Sequence, residues 1–157
     1  MRLIFMLLFV VTLLLSGRTS GDGGDSRGFA LHVSALSEAP TADRPIEVAA
    51  TLTNTSERAV QILHSSPLTQ IQIYDENDRP IVNTFLTHDV GIVHMLKPNE
   101  PYDPDTANNV TGKRVIRIKS PGTYRLVGTA SFYIQTEEGE LGEEQKITSA
   151  PYEIVVR

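Results

Sequence analysis

Four residues in one short stretch carry the atoms that hold soft or borderline metals. In His88-Asp89-Val90-Gly91-Ile92-Val93-His94-Met95, two imidazoles, a carboxylate and a thioether are ligands suited to copper or zinc. The histidines are six positions apart, so an extended backbone points both the same way at a separation of about 20 Å. One ion is shared only if the chain folds back, and Gly91 is the residue that permits it. The plainer alternative is two unrelated loop histidines, with Met95 and Leu96 as packing.

The remaining chemistry-bearing residues are sparser. His64 has the parity of Val60 and Ile62, which places it at the inner end of a strand as a hydrogen-bonded structural residue. His32 shares its parity with Ser34 and is expected to face solvent. Glu137, Glu138, Glu140, Glu143 and Glu144 offer oxygens to calcium, but without the Asp/Asn and glycine spacing of a calcium loop they read as a solvated hairpin tip. There is no Gly-x-Ser-x-Gly elbow, His-Glu-x-x-His pair or glycine-rich phosphate loop, so neither an enzymatic activity nor a cofactor is expected. The absence of cysteine excludes disulfides, thiolate metal sites and cysteine nucleophiles together. A formal net charge of −5 argues against nucleic acid, whose phosphates reward basic surfaces.

The elements that position these residues follow a leader. Met1-Arg2 and the apolar run Leu3 to Leu15, interrupted by Thr12, read as an export signal over residues 1–17, too short to span a bilayer comfortably. Its Leu15-Ser16-Gly17 end resembles a lipoprotein junction, but Arg18 stands where the lipidated cysteine belongs and has no sulfur to form a thioether. Membrane attachment is therefore expected only through an uncleaved leader, and the location is extracytoplasmic: secreted, or on a bacterial envelope. Residues 18–28, rich in Gly, Ser and Asp, form a flexible tether.

From residue 29 to 157 the hydrophobic period is two. Phe29, Leu31 and Val33, then Ile46, Val48, Ala50 and Leu52, alternate with polar neighbours, and later segments continue the pattern. Asn77-Asp78 suits a tight hairpin turn, and Pro121-Gly122 before Tyr124 suits a tyrosine corner. The expected fold is all-β: an immunoglobulin-like antiparallel Greek-key sandwich of seven to eight strands. Thr84 to Gly112 breaks the rhythm with prolines at 98, 101 and 104 and reads as a long connection. Within it Pro98, Asn99, Glu100, Pro101, Tyr102 and Asp103 form the best candidate for a loop that binds a protein partner. The plainer alternative is a Greek-key crossover packed by Tyr102 and Leu96.

Asn54-Thr55-Ser56, Ser65-Ser66, Tyr74-Asp75, "LKPNEPY" and "PGTYRLVGTASF" together resemble the BsuPI-type intracellular proteinase inhibitor family, over about residues 46–133. Asn99 stands where that family's Pro-Gly-Glu segment has glycine. The resemblance implies an immunoglobulin-like sandwich and, as one version of protein binding, inhibition of a protease. The function expected is thus an exported, non-enzymatic module that binds a protein. The alternative is a small envelope copper or zinc protein using the His88–Met95 segment.

Overall fold

The computed structural model describes residues 28–81, 88–107 and 113–157, and the leader with nearly all of the tether, Arg18 included, lies outside them. The described chain is an antiparallel β-sandwich with one short helix. In chain order the elements are β1 (Phe29–Ala35), β2 (Pro45–Asn54), β3 (Val60–Ser66), β4 (Thr69–Tyr74), β5 (Pro80–Ile81) and β6 (His88–Leu96). They continue with β7 (Pro101–Tyr102), α1 (Pro104–Ala107), β8 (Val115–Arg117), β9 (Gly122–Gln135), β10 (Leu141–Thr148) and β11 (Tyr152–Val156).

These eleven described strands run in only seven lanes. In one sheet β1 flanks one edge of β2, while β7 and β8 follow each other along the other edge. In the second sheet β9 is central. β3 and β4 lie end to end on one side of it, β10 and β11 end to end on the other. β6 then pairs outside β3, and β5 outside β4. Three lanes face four, as the seven to eight strands read from the sequence require; the higher count comes from lanes that break partway.

At three of these breaks a backbone N–H is left without a ladder partner, and a side-chain oxygen accepts it. Between β10 and β11, Ser149 Oγ accepts from Gly128 N at 2.9 Å. Between β7 and β8, Asp103 Oδ2 accepts from Ala50 N at 3.1 Å. Between β3 and β4, Asp105 accepts from Leu68 N at 2.8 Å and Thr69 N at 3.0 Å.

The alternation read from the sequence is the burial pattern. Phe29, Leu31, Val33, Ile46, Val48, Ala50 and Leu52 all point into the core. The core divides into a cluster around Ile46, Ile73 and Leu126 and another around Phe29, Leu52 and Phe132. Gly128 leaves no room for a side chain: a Cβ there would lie 2.6 Å from Val33 Cγ2 in the facing sheet. At the turns, Tyr124 donates to Ser120 O at 3.0 Å, forming the expected tyrosine corner. Asp78 takes φ 61° in the hairpin between β4 and β5. There the Arg79 N–H, donating to Asp75, holds that carboxyl below its ordinary range.

The stretch from Thr84 to Gly112 corrects the reading of it as one long connection. His88 to Leu96 is strand β6, followed by β7 and α1, while Thr84 to Thr87 and residues 108–112 lie outside the described residues. A segment such as β6, rich in apolar residues that do not alternate, reads as a strand when a sheet edge is there to receive it.

Candidate functional site

The proposed loop residues Pro98 to Asp103 lie around the β6–β7 connection and the start of α1, whereas His88 and Asp89 lie at the other end of β6. Lys97 to Glu100 is a tight turn: Glu100 N donates to Lys97 O, and Lys97 N donates to Glu100 Oε2 at 2.9 Å. Asn99 takes φ 57°, the left-handed conformation that glycine or asparagine adopts most readily, which explains asparagine where the resembled family has glycine. Pro98 bridges Asn54, and Asn99 N donates to Asn54 O at 2.8 Å.

Asn54 is a polar side chain fully withdrawn from solvent, and it accounts for all its bonds. Its Nδ2 donates to Arg58 O at 2.7 Å and Leu96 O at 3.0 Å, while Oδ1 accepts from Ser56 N and Oγ. One amide thereby ties the end of β2 to the β2–β3 turn and to the end of β6.

Pro101 and Tyr102 form β7 and pair with Thr53 and Leu52. Tyr102 lies between two histidines. Its ring stacks on His94 with centroids 3.9 Å apart and planes 4° from parallel, and its hydroxyl is 2.9 Å from His64 Nε2. His64 Nδ1 is 2.6 Å from Ser65 O. A carbonyl only accepts, so the proton is assigned to Nδ1, and Nε2 accepts from the phenol. Burial lowers the His64 pKa, against the raising pulls of the Ser65 carbonyl and Asp105, while nearby His94 lowers it further. The Tyr102 phenol is pushed up, first by burial and then by the Asp105 and Glu100 carboxylates. Neutral His64 is thus an acceptor that holds β7 against β3.

Asp103 and Asp105 continue inward to a shared cation. Arg114 Nη2 donates to Asp103 Oδ1 at 3.0 Å and Asp105 Oδ2 at 2.5 Å. Asp103 is bonded to β2 in one sheet and Asp105 to the β3–β4 junction in the other, so the trio clasps the two sheets together.

The proposed metal ligands are not assembled. The segment does not fold back at Gly91; it is an extended strand with a register shift between the pairs His64↔Ile92 and Ser66↔His88. His94 turns to Tyr102 and lies 3.7 Å from Glu100 Oε1, whereas His88 pairs opposite Ser66. Asp89 lies on the same strand, and Met95 is exposed on its outward side. Among the described residues, no group of three or more His, Cys, Asp or Glu is arranged for a metal ion. His32 is exposed, as its parity indicated.

A feature missed in the sequence lies on the outward face of the four-lane sheet. Register places Val93, Leu63, Tyr133 and Glu144 side by side across β6, β3, β9 and β10. A second row sets Met95 beside Gln61, and Gln135 beside Leu141. Val93 is 54% exposed, Met95 47%, Tyr133 39% and Leu141 51%, so apolar groups recur where a solvated face would carry polar ones. Beside them is an open groove of about 320 Å³, whose lining includes Leu63, Val90 and Tyr133, the small residues Ser65, Gly91 and Ser131, and Glu144. The available signal was the density of apolar residues in "VGIVHML", too many for a strand with one wet face.

No protein-family model matches the chain, and no curated protein matches it in sequence. Among solved structures, it is similar to Spo0M, a sporulation control protein from Bacillus subtilis, at 12% identity and a TM-score of 0.41. That alignment covers 82% of this chain and 49% of the other, so the chain spans about half the length of that protein.

Proposed function

We propose that this protein is an exported, non-enzymatic binding module that engages a protein partner through the outward face formed by β6, β3 and β9. The leader supports export, through its basic start and short apolar run. The observation that carries the binding role is the outward row of Val93, half-buried Leu63 and Tyr133, with exposed Met95 and Val90 beside it. Contiguous apolar surface of this kind marks interaction sites. The sequence candidate Pro98–Asp103 takes a different part in this reading. Tyr102 and Asp103 are turned inward to His64 and Arg114, so the connection braces β6 while β6 supplies the contact surface. Protease inhibition, implied by the family resemblance, is the narrower version, with the same face as the site.

A photo-crosslinking residue at Val93, in the full chain expressed in its own host, is expected to give one dominant protein adduct. The adduct should disappear on Tyr133→Glu and should not form from Leu36, which is equally exposed elsewhere. A Val93 pattern identical to that from Leu36 overturns the proposal. Inhibition of a panel of secreted proteases, relieved by Tyr133→Glu, would establish the narrower version; no inhibition removes that version.

A further inference from the structure

We infer that the partner segment received by this face presents an arginine or lysine beside apolar residues, with the cation drawn to Glu144. The inference rests on the binding role just proposed and specifies its chemistry. The groove is lined by apolar side chains, by small residues and by the carboxylate of Glu144. That combination suits a long side chain whose methylene stem lies on apolar surface while its charged head reaches a carboxylate. Tyr133, directly opposite Glu144 in the register, adds a ring face that attracts a cation.

The adjacent hairpin has the same sign, while Lys146 lies opposite Ser131 in the register. Glu137, Glu138, Glu140, Glu143 and Glu144 lie on and around the β9–β10 hairpin, and the exposed Lys146 is the cation that faces Glu144, at 3.3 Å. An exposed pair of this kind is weak and exchanges readily for a better-placed cation. The charge also selects against a second copy of this chain. A two-fold contact with its axis along the strands would bring two glutamate-rich hairpins toward one another. A basic partner is attracted by the same field.

The test uses the isotopically labelled full chain, titrated with acetyl-Leu-Val-Arg-Leu-Val-amide and with versions carrying norleucine or glutamate in place of arginine. The arginine peptide is expected to shift the amides of Leu63, Tyr133 and Glu144 saturably, and the glutamate peptide is expected not to. Glu144→Gln should weaken binding about fivefold, and Lys146→Ala should strengthen it. Raising salt from about 0.05 to 0.5 M should weaken it as well. Equal affinity for the norleucine peptide, or no effect of Glu144→Gln, overturns the basic partner. So do concentration-dependent shifts in the protein alone, which would indicate self-association, and binding to phosphatidylcholine vesicles in place of the peptide. If the Val93 adduct persists while the arginine peptide fails, only this chemistry falls. If both fail, the binding face falls with it.

Discussion

Asp105 is one carboxylate serving two structural needs. It accepts the N–H groups of Leu68 and Thr69 where β3 breaks from β4, and it pairs with Arg114 in a nearly dry setting. Removing it strands two donors and half of the guanidinium's compensation, a loss far larger than that of a surface ion pair. Asp105→Ala is expected to lower the unfolding free energy by about 3 kcal/mol, read as a reduced urea midpoint with unchanged slope. His64 makes the same region sensitive to acid. Its folded pKa lies below the ordinary histidine value of 6.5, so the unfolded chain takes up the proton first as pH falls. The contribution is fully present above the unfolded pKa and is lost as pH falls through the folded one. Melting temperatures measured from neutral pH to pH 5 should therefore drop more steeply for the wild type than for His64→Gln. Parallel slopes would show that His64 does not carry the effect. His64 as an inward, bonded histidine was legible from its parity with Val60 and Ile62; Tyr102 as its partner was not, since the two are 38 positions apart.

Among the elements, β9 does most to organise the sandwich, because four other strands pair along it. Its glycine at 128 sets the spacing between the sheets. An added methyl would meet Val33 Cγ2 at 2.6 Å and Leu31 Cδ2 at 3.2 Å, with little room to yield on the β1 side. Gly128→Ala should destabilise the domain by about 2 kcal/mol, and adding Val33→Ala should recover part of that loss in a double-mutant cycle. Non-additivity of that sign, measured by denaturant unfolding, checks that the two residues meet across the core. Strand β6 shows where local reading stops. "HDVGIVHML" lacks clean alternation, and the prolines downstream suggested a connection. Pairing with β3 over Ile92–Leu96 makes it a strand, an energy supplied from outside the segment.

At the scale of the whole molecule, sequence alone determined the class and the inside of the fold. A period of two over short segments allows one half-buried face per strand, and such faces are stable only when two sheets cover one another. The core residues, the tyrosine corner and the hairpin at Asn77-Asp78 all followed from local pattern and local backbone preference. Tertiary structure alone decided the breaks in the lanes, the clasp of Asp103, Asp105 and Arg114, and the outward row from Val93 to Glu144. These depend on which distant segments become neighbours and in what register. That choice is a property of the whole packed chain, because shifting any strand by one position would exchange its two faces.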